Sequence, residues 1–484
     1  MPARTGQQYI DRLSKNPAEV WIGGKQAGDV TTHPSFQNGV KSLAALYDQQ
    51  HNPHTKDAMT FPSPASGDPV GQSFIIPKVI NDLEKRREMM TNWAWESCGM
   101  MARTPDFLNC AISGWAGSAD YFADNRPQFK DNVLRYHEYI RENDLTMTHT
   151  LVNLQRRRNT SILDRLEDQI ALTVIKETDA GIVVNGSRIL ATLGPISDEI
   201  VVYPTRTHLL GKEAQKQAFA FAIPCATSGV KFMCRESLDQ GRSNFDHPLG
   251  SRFEEMDAVV FFDNVLVPWE RVFLLGDVDM ANKFASATQS TSHTGHQVVN
   301  RTVVKTEFLL GLTSLMTDTL GSTEVPHVQE MIGEIIVNLE MMKASVRAAE
   351  ADAKLNEWGM MCPSFAPLSA ARAIYANKMY PRMTEIVQLL GSSSLMVLPG
   401  ESDFNAPIAP ELERYLATET AGARDRVRLF HLAWDVACSA FGGRQVLYER
   451  FFGGDPVRNT MLIYQGYDKT NAIDRVQCFL EREG

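Results

Sequence analysis

The sequence predicts an α+β multidomain protein: a helical N-terminal domain, a central antiparallel β-barrel or sandwich domain, and a C-terminal four-helix bundle. Three observations carry this. Apolar residues switch from helical to strand-like spacing near residue 146 and return to helical spacing near residue 280. The middle stretch is filled by short β-rich runs divided by polar turns, without the helical crossovers a parallel sheet needs. A chain of 484 residues, at roughly 100–200 per domain, has room for two to four domains. The expected domains are residues 1–145, 146–279 and 280–484.

In the first domain, residues 77–103 carry apolar side chains at helical spacing, and residues 129–144 form an amphipathic helix with i,i+4 charges. Between them Thr104-Pro105-Asp106 reads as a helix start, with Thr as N-cap and Pro at the first helical position. In the second, residues 171–178 and 181–193 flank Asp179-Ala180-Gly181, a hairpin signal. Further strands are expected around 199–205, 218–224, 230–234 and 257–268. Pro268 marks the exit from the last one, since it cannot donate to a central ladder. In the third, residues 296–321, 327–359, 369–391 and 410–443 are four long amphipathic segments, several ending at glycine, which read as an antiparallel bundle.

Composition narrows the function by exclusion. The net charge of −10 argues against a nucleic-acid partner. No run of 18 apolar residues and no signal-like N-terminus is present, so no membrane association and a cytoplasmic location are expected. The seven cysteines include no C-x-x-C pair, which points to reduced thiols rather than disulfides or zinc. There is no H-E-x-x-H, no P-loop and no G-x-G-x-x-G, and no metal site is expected.

Two motifs remain. The last strand leaves through Val267-Pro268 and is preceded by an acidic run, Glu254-Glu255-Met256-Asp257. Later come Phe441-Gly442-Gly443-Arg444 and Gly453-Gly454-Asp455-Pro456-Val457-Arg458. Glycine pairs after a helix let amides approach a phosphate, and arginines add charge; a glycine pair is also an ordinary helix stop. In this order the motifs resemble the acyl-CoA dehydrogenase-like flavoprotein fold. More closely, nearly the whole chain resembles the oxygenase component of the two-component 4-hydroxyphenylacetate 3-monooxygenase and phenol hydroxylase family. Its carriers are Arg4–Ile10, Thr31-Thr32-His33-Pro34, Ala44–Asp48, Gly99–Phe107 and Phe245–Arg252.

The resemblance implies a reduced-FAD-dependent monooxygenase with O2 as co-substrate. It would hydroxylate a phenol, 4-hydroxyphenylacetate or a simpler one, ortho to the hydroxyl through a flavin C4a-hydroperoxide. A separate NAD(P)H:flavin reductase would supply reduced FAD, and the oxygenase would be a homotetramer. Arg103 would favour the phenolate and His149 would exchange the phenol proton. Thr104, Pro105, Asp106 and Phe107 fall in the same substrate motif, where Phe107 stands in place of the family's tyrosine and lacks its hydroxyl. Thr205 and Arg206 align with a loop that holds a substrate carboxylate. His149, Thr150, Leu151, Gln155, Arg156, Arg157, Arg158 and Thr192 fall on flavin contacts, with Gly443, Arg444, Asp455, Pro456, Val457 and Arg458 as a second set. His293 and His296, spaced H-x-x-H, are candidates for the catalytic set; the alternative is ordinary hydrogen-bonded histidines.

Other readings stay open at this stage. A 4-hydroxybutyryl-CoA dehydratase of the same superfamily needs cluster-binding cysteines, yet the residue four places after Cys98 is Ala102 and no cysteine closely follows His293 or His296. An acyl-CoA dehydrogenase needs a bundle glutamate that the sequence does not single out. A non-catalytic helical scaffold would bind no reduced flavin.

Overall fold

The computed structural model describes residues 2–153, 170–204, 209, 212–239 and 241–482. The N-terminal helices are α1 (Gly6–Lys15), α2 (Gln37–Asp48), α3 (Ile80–Glu96), α4 (Pro105–Ala116) and α5 (Pro127–Glu142). A capping box starts α1: Gln8 N donates to Thr5 Oγ1, and Thr5 N donates to Gln8 Oε1. This part is not purely helical. β1 (Glu19–Ile22) and β2 (Lys25–Gln26) form a hairpin whose Gly23 and Gly24 both have positive φ, and β1 joins the central sheet. A four-residue run with two buried-side positions is too short for sequence periodicity to reveal.

Two larger departures shape the site. Helical spacing continues to residue 103, but α3 stops at Glu96, and Cys98 and Gly99 turn through positive φ. A Cβ on Gly99 would lie 2.7 Å from Lys305 Cβ, so the turn passes directly against the bundle. Residues 100–104 then run without regular structure into α4, which starts at Pro105 as expected, with Thr104 at the N-cap.

The strands are β3 (Met147–Thr150), β4 (Thr173–Thr178), β5 (Gly181–Thr192), β6 (Glu199–Val202), β7 (Phe219–Pro224), β8 (Val230–Cys234), β9 (Asp257–Pro268) and β10 (Val272–Leu275). They form a six-stranded sheet, β2-β1-β8-β9-β5-β4, and a four-stranded one, β10-β7-β6-β3. Phe221 of the smaller sheet meets Phe262 of the larger edge-on, with centroids 6.3 Å apart. The expected β4–β5 hairpin forms, with Thr178 opposite Gly181. Pairing is mostly antiparallel, but β1 runs parallel to β8 and β3 parallel to β6. Both parallel strands enter from the helical N-terminal stretch or its edge. One apolar core accordingly runs from Tyr9 and Trp93 to Phe221 and Phe284.

The C-terminal helices are α6 (Val278–Ala287), α7 (Ser290–Thr319), α8 (Pro326–Ala351), α9 (Phe365–Ile374), α10 (Tyr380–Gly391), α11 (Ala409–Leu416), α12 (Ala423–Ala437), α13 (Ala440–Phe451), α14 (Pro456–Gly466) and α15 (Thr470–Leu480). A π-helical turn at 375–379 joins α9 to α10, just before Pro381. The expected 410–443 segment is broken into α11 and α12, and α13 begins afresh with Ser439 Oγ accepting from Gly442 N. Phe441, Gly442 and Gly443 therefore open a helix instead of following one. A Cβ at Gly442 would lie 2.5 Å from Val436 O, so glycine is required there for the helices to approach. No described helix is long and apolar enough to cross a membrane.

A buried ionic triad locks α7 to α13. Glu449 accepts from Arg301 at 2.6 and 2.8 Å and from Lys305 at 2.8 Å. Arg301 also donates to Gly99 O, Lys305 to Gln445, and Gln445 to Met100 O, so the 97–104 turn is tied into the same knot. Burial disfavours the Glu449 carboxylate, but the two cations outweigh it and hold its pKa at about 2. Glu449→Gln keeps the shape and strands two buried cations. Thermal and urea unfolding are expected to show a loss of about 3–5 kcal/mol; a change under 1 kcal/mol would contradict this role.

Candidate active site

The short run after Gly99 places its side chains by backbone hydrogen bonds. Ala102 N and Arg103 N both donate to Glu255 Oε1 at 2.7 Å. Glu255 is the buried second member of the acidic run ahead of β9. One turn into α4 from Arg103 stands Phe107, and its ring lies 4.0 Å from the Arg103 guanidinium carbon. Phe107 stacks on His149 of β3 at 5.5 Å, His149 on Tyr203 at 5.9 Å, and Tyr203 on Phe284 of α6 at 6.0 Å. A column of flat groups thus runs from the N-terminal helices across the smaller sheet to the bundle. Tyr448 and Phe452 each lie 5.3 Å from the Arg103 guanidinium, and these two rings are themselves stacked at 5.3 Å.

Arg103, Phe107, His149 and Tyr203 line one cavity of about 360 Å³, closed from the other side by Arg372, Phe451, Phe452, Asp455 and Arg458. Arg103 is buried, and among the described residues it forms no ion pair with a carboxylate. His149 is buried too. Burial first, and the neighbouring Arg103 charge second, push its pKa well below the ordinary value, so the imidazole is neutral at pH 7. No described side chain hydrogen-bonds its ring. A fixed cation and a neutral imidazole on one apolar wall can bind a phenol, stabilise its anion and take its proton.

The other expected site residues divide by where the fold places them. Thr104 and Asp106 turn to each other and to Gln297: Thr104 Oγ1 donates to Asp106 Oδ1 at 2.6 Å and Gln297 Nε2 lies 3.3 Å from both Asp106 oxygens. Burial raises the Asp106 pKa to about 6 against those hydrogen bonds. This pair shapes the start of α4, with Pro105 as its first residue, and does not line the cavity. Leu151, Asp455 and Arg458 do line it, Asp455 also capping α14 by accepting from Arg458 N, while Val457 faces outward. Thr150 is buried on β3, with its hydroxyl lacking a partner among the described residues. Thr192, at the end of β5, donates to Asp257 Oδ1 at 2.8 Å, and Arg444 grips the same carboxylate at 2.6 and 2.8 Å. Gln155, Arg156, Arg157, Arg158, Thr205 and Arg206 lie outside the described residues.

His293 and His296 do not line this cavity. They face a separate polar seam between α7, α3 and α8, where His293 meets Arg86 at 2.9 Å and His296 meets Glu350 at 2.9 Å. The helical period explains it: Ser290, Thr291, Thr294 and Val298 take the cavity face, leaving 293 and 296 on the other. Sequence reasoning missed Tyr203, Phe452 and Glu255. The spacing of Arg444, Tyr448 and Phe452 at i, i+4 and i+8 was a usable sign of one helix face.

With the geometry in place, comparison with known proteins is direct. Residues 5–274 match the family described as 4-hydroxyphenylacetate 3-hydroxylase N terminal, and residues 281–481 its C terminal counterpart. The 4-hydroxyphenylacetate 3-monooxygenase oxygenase component of Geobacillus sp. (strain PA-9) is 45% identical over 481 residues, spanning 99% of this chain and 97% of that one. A crystal structure of such an oxygenase component with FAD and 4-hydroxyphenylacetate superposes with a TM-score of 0.94 at 44% identity, covering 99% and 98% of the two chains. An archaeal 4-hydroxybutyryl-CoA dehydratase shares the fold alone, with a TM-score of 0.88 at 17% identity over 99% and 96% of the chains. The chain therefore belongs to the 4-hydroxyphenylacetate 3-hydroxylase family.

Proposed function

We propose that this chain is the oxygenase component of a two-component monooxygenase that hydroxylates 4-hydroxyphenylacetate, or a simpler phenol, ortho to its hydroxyl. The observation that supports it most is the Arg103–Phe107–His149 column at the wall of a cavity of about 360 Å³. Reduced FAD from a separate NAD(P)H:flavin reductase, when bound, supplies the activated oxygen from O2.

The residues present fit such a cofactor. Thr150, next to the cavity-lining His149 and Leu151, offers a buried hydroxyl without a partner among the described residues. Arg188 is buried without a described carboxylate, and burial brings its pKa down to about 9. Its Nη1 donates to Leu151 O and Tyr203 O, both on cavity-lining residues, so an anionic group there meets a waiting charge. Thr150, Leu151, Asp455 and Arg458 are the proposed holding residues.

The chain's own work is binding and proton handling. Arg103 sets the phenol oxygen and favours its anion; His149, neutral, accepts the proton; the ring column holds the aromatic plane and keeps water out. Phe107 supplies wall without a hydroxyl, which leaves Arg103 and His149 as the polar contacts to the phenol. The dehydratase reading lacks support from the chain's own residues, since Ala102 stands four places after Cys98. The scaffold reading is countered by the cavity with Arg103 and His149 on its wall. A cytoplasmic location is part of the same proposal, in keeping with the unpaired cysteines.

The proposed assembly is a homotetramer. α14 and α15 expose Val457, Tyr464, Ile473, Phe479 and Leu480, an apolar surface that a lone protomer leaves wet. Sedimentation equilibrium is expected to return four times the 54.0 kDa chain mass; a monomer at micromolar concentration would end the assembly proposal.

With reduced FAD, O2 and a panel of phenols, the wild type is expected to form catechols. His149→Ala should lower kcat/KM about 10²–10⁴-fold, and Arg103→Ala roughly 10–100-fold with more peroxide per product. Undiminished catechol formation in both would sink the assignment. A second check uses pH. An unfolded histidine takes a proton near pH 6.5, whereas folded His149 does so only well below that. Its stabilising contribution is thus full above about pH 6.5 and lost as pH falls. Between pH 7 and 5 the wild type should lose stability relative to His149→Phe, by up to about 1.4 kcal/mol per unit; parallel urea midpoints would show that His149 protonates in the fold.

A further inference from the structure

Resting on that reading, we infer that Arg444 is a positioning residue that sets Arg103 in the phenol site from outside the cavity. Arg444 lines no part of the cavity. Its Nε and Nη2 grip Asp257 at 2.6 and 2.8 Å, and its Nη1 reaches Glu255 Oε2 at 3.3 Å. The other oxygen of Glu255 accepts the amides of Ala102 and Arg103. Asp257 accepts the Thr192 hydroxyl as well. One guanidinium therefore anchors both the segment that carries Arg103 and the end of β5.

The same helix acts on Arg103 directly. Arg444, Tyr448 and Phe452 follow one another at i, i+4 and i+8. The Tyr448 ring meets two cations, with Arg444 at 5.0 Å and Arg103 at 5.3 Å from its centroid. Each guanidinium is attracted to the ring. Phe452 extends this face into the cavity. Among the described residues no carboxylate holds the Arg103 side chain, so its placement depends on its backbone amide and the rings around it. The first is set by Glu255 and the second by α13, and Arg444 joins the two. Lysine cannot substitute, because the tie needs a planar fork that engages two carboxylates at once.

Binding of 4-nitrophenol to the purified full-length protein without flavin tests this. Its anion absorbs in the visible, so a titration reports both affinity and the ionised fraction of the bound phenol. At pH 6 the wild type should bind it largely as the anion. Arg444→Met should weaken binding roughly tenfold and shift bound phenol toward the neutral form, with circular dichroism unchanged. Glu255→Gln should move both readouts the same way, since its amide faces Arg444 with a donor while its carbonyl still serves Ala102 and Arg103. Arg444→Lys should not restore the wild-type spectrum. If Arg444→Met fails to fold, Glu255→Gln decides by the same criteria. Wild-type binding and ionisation in the folded variants, or full rescue by lysine, would overturn the inference while leaving the oxygenase reading intact. A wild type that neither binds nitrophenolate nor forms catechol would instead bring down the oxygenase reading.

Discussion

The active wall depends on one carboxylate, Glu255, which accepts two consecutive amides, from Ala102 and Arg103, at 2.7 Å. Those amides belong to a stretch with no regular structure of its own, between the left-handed turn at Cys98–Gly99 and the start of α4. Without a buried acceptor, two main-chain donors in an apolar interior would each cost on the order of 1–3 kcal/mol. With it, the stretch has one conformation. Glu255 in turn stands at the head of β9, the strand that pairs with β5 and β8 in the larger sheet. Arg103 is thereby referenced to the paired strands of the larger sheet.

The carboxylates around this point are spent on structure. Glu449 takes Arg301 and Lys305, Asp257 takes Arg444 and Arg235, and Glu255 takes the amides and Arg444. Burial opposes the Asp257 carboxylate, yet Arg444, Arg235 and Thr192 together hold its pKa at about 2. Among the described residues Arg103 receives no carboxylate and meets aromatic faces, which attract a cation without neutralising it. A cation left in this condition gains most from an arriving anion, which under the proposed function is the phenolate. The depressed His149 pKa belongs to the same arrangement: burial first, and the neighbouring Arg103 charge second, keep the imidazole neutral.

How much of this was legible in the sequence follows from the physical range of each signal. Long amphipathic helices such as α5, α7 and α8 emerged from periodicity, as did the β4–β5 hairpin from its turn residues, because both are local. Arg103, Phe107 and His149 were found through a motif resemblance and are gathered in one cavity. The end of α3 at Glu96 was hidden because it is enforced by the contact of Gly99 with Lys305, about two hundred positions away. Arg444 was legible as a charged residue after glycines and read toward a phosphate. Its true neighbours, Glu255 and Asp257, lie in an acidic run that was visible but had no partner until the fold supplied one. His293 and His296 show the reverse: a conspicuous pair whose helix face, set by three-dimensional packing, points away from the site.

Uncompensated charge is not by itself a mark of function. Arg86, Arg103 and Arg188 are all buried and all lack an ion pair with a described carboxylate. Arg86 meets a neutral histidine in the closed seam, with Nε and Nη1 left without described partners, and touches no part of the cavity. Arg188 is tied to two carbonyls of cavity-lining residues, and Arg103 lines the cavity itself. What separates them is access: an anion can reach Arg103, and through the cavity wall can be felt by Arg188, whereas Arg86 is sealed behind α4 and α7. A chain with a net charge of −10 can therefore still offer positive charge at one cavity, because Arg103 lines it and Arg188 stands behind its wall.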